Sequence, residues 1–312
     1  MHAVVIAAGA LHWSERPDPA PGTAELLVEV HAAGVNRADL LQQAGRYPPP
    51  PGVPPDQPGL ECAGVVTAVG PATRRFAPGD RVMGLLGGAA QGELAVIHER
   101  IAMPVPAGVD LAEAGGFCEA FATAHDALFT QCALAPGDRL LVSGAAGGVG
   151  IAAVQLGHAT GATVVASVRD PARREAVAGF GAVSVAPDEV AAHGPFDVVI
   201  ELVGGSQVAA DLEALAPGGR IVVIGTGAGG TTELDLHLLM ARSASIRAST
   251  LRARPLEEKA LVSRALERHV LPLLATGKVR VPVERRFEFA DAPAAYERFA
   301  AGAKLGKIVL VR

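Results

Sequence analysis

The sequence predicts an α/β protein in which a doubly wound parallel sheet is joined to a β-rich domain. Three observations predict it. Short β-type runs broken by Pro, Gly and Asp fill the first hundred residues, the spacing of a mostly antiparallel β domain. From Asp138 to Thr250, apolar β runs alternate with segments of helical periodicity, the pattern of a parallel sheet covered by helices. The first strand of that alternation runs into a turn of small residues, Gly144, Ala145, Ala146, Gly147, Gly148, Val149 and Gly150, and a strand–turn–helix context gives such a turn chemical weight.

Composition narrows the function classes. At 312 residues and 50% apolar content, with both charge signs present, the chain is long enough for two globular domains and too apolar for disorder. A net charge of −5 carries no electrostatic footprint for nucleic acid or an anionic membrane. The three cysteines, Cys62, Cys118 and Cys132, form no CxxC or His-paired spacing, so neither a disulfide framework nor a structural zinc site is indicated. The chain starts on an apolar strand pattern, His2 to Ala7, with no basic leader, and its apolar runs stop well short of the roughly 18 residues of a membrane span. A cytoplasmic protein without a membrane partner is expected.

In chain order, β runs are expected at 26–30, 63–69, 81–86 and 93–97, with a short helix over 36–43 and a Pro-rich loop from Tyr47 to Pro58 that cannot join a ladder. Residues 110–131 read as helix. The alternating region then gives strands at 140–142, 162–168, 183–186, 196–203, 220–225 and 245–249, with helices over 151–159, 171–179 and 207–215. Residues 255–275 are helical, and the tail 281–312 holds strand, helix and strand, returning to the first domain. The expected domains are 1–115 with 270–312, and 116–269, with a small-molecule site at their interface.

The turn after the first parallel strand suits a dinucleotide. A pyrophosphate needs the free N–H groups and positive dipole end of a helix N-terminus, without side chains in the way. Ala145, Gly147 and Gly150 take the three positions of GxGxxG, with Ala for the first Gly and Gly148 opening the turn further. Ala146 to Gly150 are therefore candidate cofactor contacts. After the second strand, Arg169, Asp170, Pro171 and Arg173 bear on the choice of nucleotide. Asp170 stands where an acid can bind a ribose 2′-hydroxyl; Pro171 behind it, the preferred first helical residue, favours the role of helix cap over that one. With Asp170 as the cap, planar guanidinium forks at Arg169 and Arg173 can clamp a 2′-phosphate. NADPH is the expected cofactor and NADH the weaker alternative.

Asn36 to Leu40, Gly59 to Glu61, Ala145 to Gly150 and Leu305 to Val309, in that order, resemble the medium-chain dehydrogenase/reductase superfamily in its zinc-free quinone oxidoreductase, zeta-crystallin-like branch. Gly45 to Gly52 and Thr250 to Arg254 are similar to the subgroup of stress-inducible NADPH quinone oxidoreductases. The resemblance covers essentially the whole chain. It implies a GroES-like β-rich catalytic domain, a Rossmann cofactor domain and a homodimer formed through the sheet edge near residues 220–249.

Zinc alcohol dehydrogenases of this superfamily hold catalytic metal through a Cys and a His, and this chain has Asn36 and Leu60 at the matching places. Leu cannot ligate and an Asn amide is a poor zinc ligand, so no metal site is expected. Without a Lewis acid, the acceptor must itself be electron-poor: a quinone or an enone. By the resemblance Asn36 and Tyr47 hydrogen-bond the acceptor oxygen, Thr123 lies near the nicotinamide, Gly225 lets backbone meet its carboxamide, and Lys307 approaches the cofactor. Glu201 matches a family segment that usually begins with Asp, and no chemistry is assigned to it. The expected activity is NADPH-dependent reduction of quinones or similar carbonyl compounds. An enoyl-thioester or enone reductase, or a cofactor-binding protein with a structural or regulatory role, are the alternatives.

Overall fold

A computed structural model describes residues 1–312. They form two compact units, Met1–Ala122 with Leu251–Arg312, and Thr123–Thr250.

The first unit is built on a seven-stranded sheet. Its order is Val283–Glu288, Lys307–Val311, Glu25–Val35, Glu61–Val69, Arg81–Leu85 and Ala102–Pro104, with Leu94–His98 also paired to Glu25–Val35. Only the first pair is parallel; the others are antiparallel. Residues 25–30 alternate between partly and fully buried, the period-two signature of a half-covered sheet. Their buried face joins Val4, Cys62, Ile97, Ile308, Leu310 and Tyr296 in one core. Two pairings position the chemistry. Ile308 lies opposite Val35, and Cys62 lies opposite Ala33. Lys307, Asn36 and Glu61 therefore fall together at the ends of three adjacent strands, although 246 residues separate Glu61 from Lys307.

The helix expected over 110–131 is three pieces: Leu111–Gly115, Cys118–His125 and a π-helical turn Asp126–Gln131. Consecutive Gly115 and Gly116 interrupt it, since glycine is the weakest helix former after proline. The unit boundaries also differ from those expected. They fall at 122/123 and 250/251 rather than at 115/116 and 269/270. The helix Leu256–His269 belongs to the first unit because Ser263 Oγ donates to the Ile101 carbonyl at 3.2 Å and Arg264 to that of Ala102 at 2.9 Å.

The second unit holds six parallel strands in the order Val183–Val185, Thr163–Ser167, Arg139–Ser143, Phe196–Glu201, Leu215–Val223 and Ser245–Ala248. Leu141, Val165, Phe196, Val199, Leu212 and Ile221 form its core, and the strands read as nearly continuous apolar runs because helices cover both faces. Strand order reverses between Arg139–Ser143 and Phe196–Glu201, and the crevice at the carboxyl ends of such strands is the ligand position of doubly wound sheets. The turn 144–150 leaves from that point. The helix Leu236–Ala241 had no signal strong enough to predict it. The fifth strand starts at Leu215 rather than Arg220, with an irregular register after Phe196.

Candidate functional site

In the second unit, Gly147 caps the helix Gly148–Thr160 with extended backbone and no side-chain capping bond. The first-turn N–H groups are thus left for a ligand. Gly150 is required by packing: a Cβ there would lie 2.6 Å from Ala145 Cα, so helix and strand approach as closely as they do only without it. Ala146, Gly147, Gly148 and Val149 are partly exposed along the turn, whereas Ala145 is buried beneath them. This turn fits a dinucleotide pyrophosphate: the helix start is left uncapped by any side chain, and Gly147 and Gly148 carry none of their own.

Beyond the second strand, Asp170 Oδ1 accepts from Ala172 N at 3.1 Å and caps the helix Pro171–Ala178. Asp170 is thereby committed to the helix, as its sequence context implied. Arg169 is exposed and Arg173 half-buried, with Arg173 Nε 3.6 Å from Asp170 Oδ2. Thr123 is buried in the helix Cys118–His125. Gly225 N donates to the Glu201 carbonyl at 3.1 Å, just past the strand Leu215–Val223.

Glu201 and Asp211 form a buried pair that the sequence did not announce. Glu201 Oε1 accepts from the amides of Val203 and Gly204, and Asp211 Oδ1 accepts from Gln207 Nε2 at 3.0 Å and Ser143 Oγ at 3.3 Å. The remaining oxygens, Glu201 Oε2 and Asp211 Oδ2, have no other partner. Burial first, then the facing Glu201, pushes the Asp211 carboxyl far above its ordinary value, so the pair holds on to a proton at higher pH than a free carboxyl does.

The first unit gathers a denser polar cluster. Asn36 caps the helix Arg37–Gln43, and its backbone N–H donates to Asp39 Oδ2 at 2.8 Å, half of a capping box. Its side chain turns the other way: Oδ1 accepts from Lys307 Nζ at 2.5 Å and Nδ2 donates to Glu61 Oε1 at 2.8 Å. An ammonium only donates and a carboxylate only accepts, so the amide's orientation is fixed by its neighbours. Lys307 Nζ also reaches Glu61 Oε1 at 2.6 Å, and Glu61 Oε2 accepts from Glu119 N at 2.8 Å. Glu61 is fully buried and Lys307 is 4% exposed. Gly34 makes room, since a Cβ there would lie 2.1 Å from Glu61 Oε1. Lys307, assigned to the cofactor on resemblance, has its ammonium engaged by Asn36 and Glu61.

Titration follows from this crowding. Asp39, fully buried, rises to about 6 because burial outweighs the amides of Asn36 and Gly59. Glu119 rises to about 7, through burial and then the charge of Glu61, with Lys307 opposing. Tyr47 is half-buried at the head of the Pro-rich loop, with the Arg252 guanidinium carbon 4.9 Å from its ring centroid. Asn36 and Tyr47 are the candidates the sequence offers for the acceptor. Glu61, Asp39 and Arg252 stood only inside family motifs, Gln42 only inside the short helix, and Glu119 had no signal.

No three or more His, Cys, Asp or Glu side chains are grouped so as to hold a metal ion. Leu60 is buried and apolar, and all three cysteines are buried free thiols. Burial pushes the Cys62 thiol up to about 12. No helix is long and apolar enough to cross a membrane.

Residues 22–133 match the alcohol dehydrogenase GroES-like domain family, and residues 157–310 match the zinc-binding dehydrogenase family. The chain is 34% identical over 304 residues to erythronolide synthase of Saccharopolyspora erythraea, and covers 92% of this chain but only 8% of that enzyme. Rat quinone oxidoreductase is 29% identical over 307 residues, covering 94% of this chain and 91% of the rat protein. Human quinone oxidoreductase is 31% identical over 262 residues, covering 80% and 78% respectively. Among solved structures, a mycobacterial protein complexed with NADPH superposes with a TM-score of 0.88 at 26% identity over 100% of both chains. An NAD-dependent alcohol dehydrogenase gives 0.87 at 26% identity, also over 100% of both. With both domain families matched in order, and quinone oxidoreductases aligned along most of their length, the chain belongs to the medium-chain dehydrogenase/reductase superfamily.

Proposed function

We infer that this oxidoreductase passes hydride from NADPH to a quinone or a related electron-poor carbonyl compound. The observation that carries the reading is the array of half-buried Asn36 with buried Glu61 and Lys307. One N–H of the Asn36 amide is taken by Glu61 and its oxygen by Lys307, which leaves the second N–H for a ligand. A cation on the amide oxygen polarises the group and strengthens that donor. A preorganised donor of this kind favours an oxygen that gains negative charge as it is reduced.

When bound, the reduced nicotinamide supplies the hydride. The chain's own residues supply the rest. Backbone amides of the turn 146–150 hold the pyrophosphate, and Arg169 and Arg173 are assigned to the 2′-phosphate, a preference also supported by the NADPH-bound structural relative. Asn36 and Tyr47 are assigned to stabilising the reduced oxygen, which takes its proton from water. The side chains at the places matching the zinc ligands of alcohol dehydrogenases are an amide, Asn36, and an alkyl group, Leu60, which suits an acceptor needing no Lewis acid.

A second reading, reduction of an enoyl thioester, is favoured by the polyketide synthase relatives, whose 34% identity equals or exceeds that of the quinone oxidoreductases. Nucleotide oxidation with benzoquinone, naphthoquinone and a crotonyl thioester separates the two: turnover of the quinones is expected, and turnover of the thioester alone overturns the substrate class. Asn36→Ala is expected to lower kcat/KM about 100-fold, the usual loss for one oxyanion donor, at unchanged nucleotide affinity. Arg169→Ala and Arg173→Ala should weaken NADPH and spare NADH; equal affinities in both variants refute the clamp.

A further inference from the structure

The Pro-rich loop has an anchoring problem that Arg252 solves. Seven of the twelve residues from Tyr47 to Pro58 are proline and have no N–H; Val53 N reaches the Pro50 carbonyl at 3.3 Å and Gln57 N that of Pro54 at 3.4 Å, and other carbonyls of the loop take donors from elsewhere. Ile6 N serves the Asp56 carbonyl at 2.7 Å, Ala89 N that of Gln57 at 3.0 Å, and Gln42 Nε2 that of Pro55 at 3.0 Å. The first residue of the loop is served by Arg252. Its Nη1 donates to the Tyr47 carbonyl at 2.7 Å, its Nε to the Gly87 carbonyl at 2.8 Å, and its Nη2 to Gln42 Oε1. The residue is 4% exposed and its guanidinium carbon lies 4.9 Å from the Tyr47 ring centroid.

One planar fork thus ties three segments together: the loop at Tyr47, the turn at Gly87 against which Pro50 and Val53 pack, and Gln42 at the end of the helix that Asn36 begins. A lysine cannot reproduce three divergent donors with a point charge.

We propose that Arg252 is the positioning residue of the acceptor site, holding Tyr47 and its loop at a set distance from Asn36. The proposal rests on the reading of Asn36 and Tyr47 as the groups that bind the acceptor oxygen. Loss of the fork frees the Tyr47 end of the loop, so acceptor binding suffers while the nucleotide, held by the second unit, does not.

The test compares wild type, Arg252→Lys and Arg252→Met by hydrogen exchange and by steady-state kinetics with a benzoquinone acceptor. In Arg252→Met, exchange at the non-proline amides of 46–57 should accelerate about tenfold or more while that of strand Arg139–Ser143 stays unchanged. KM for the quinone should rise about tenfold with kcat within about threefold and NADPH affinity unaltered. Millimolar guanidine should restore part of the loss in Arg252→Met. Arg252→Lys, which keeps the charge and supplies the readout if the Met variant does not fold, should show the same shifts at smaller size. Unaltered exchange in the loop, or an equal change in quinone KM and NADPH affinity, overturns the proposal. A wild type that reduces no acceptor refutes the functional reading alone, and the exchange rates then decide the clamp by themselves.

Discussion

Glu119 sits near enough to Glu61 and Lys307 for its titration to matter to the acceptor. Its carboxyl titrates at about 7, so a rise in pH through neutrality adds a negative charge beside a site that stabilises negative charge. kcat/KM is therefore expected to fall above pH 7, and Glu119→Gln to flatten that limb of the pH profile; an unchanged profile would show that Glu119 is not sensed. Asp211 works in the same direction on stability. Its folded pKa is raised far above the ordinary 3.8, through burial and then Glu201. Between the ordinary and the raised value the folded chain holds a proton that the unfolded chain has lost, so unfolding free energy declines as pH rises across the window. Urea denaturation at pH 6, 7.5 and 9 should show a shallower decline for Asp211→Asn, which stays neutral throughout.

The strand–turn–helix element at 139–160 depends on close approach rather than on side-chain chemistry. A branched side chain at Gly150 would meet the Ala145 backbone at 2.6 Å or less and force the helix start away from the strand end. Gly150→Val is expected to abolish nucleotide binding in titration calorimetry while the circular dichroism of the β-rich unit persists. The strand Glu25–Val35 carries a comparable load in the other unit. Its pairings with Glu61–Val69 and Lys307–Val311 set the register that brings Glu61 and Lys307 to Asn36, and a one-residue slip would send all three to the wrong face.

For the molecule as a whole, the edge strand Ser245–Ala248 and the helix Leu236–Ala241 remain largely uncovered. Leu236 is 64% exposed and Met240 75%, and an open strand edge beside apolar side chains invites pairing with another chain. A homodimer through this edge is the expected assembly. Wild type should sediment at twice the chain mass, and Leu236→Asp with Met240→Asp should sediment as a monomer; a monomeric wild type rules the dimer out.

The alternation of strand and helix from Asp138 to Thr250, the turn at 144–150 and the Pro171 signal beside Asp170 are local patterns. Period, turn chemistry and capping act over a few residues and are written in the sequence itself, so the parallel sheet and its small-residue turn could be read from it. Asn36 and Tyr47 were legible through motifs, but the state of the Asn36 amide was not. Only strand register across 246 residues sets Lys307 and Glu61 against it, and only the folded chain brings Arg252 to a loop 205 residues earlier. The raised titration of Asp211 is likewise a product of burial, and burial is decided by packing at a distance, which no local pattern encodes.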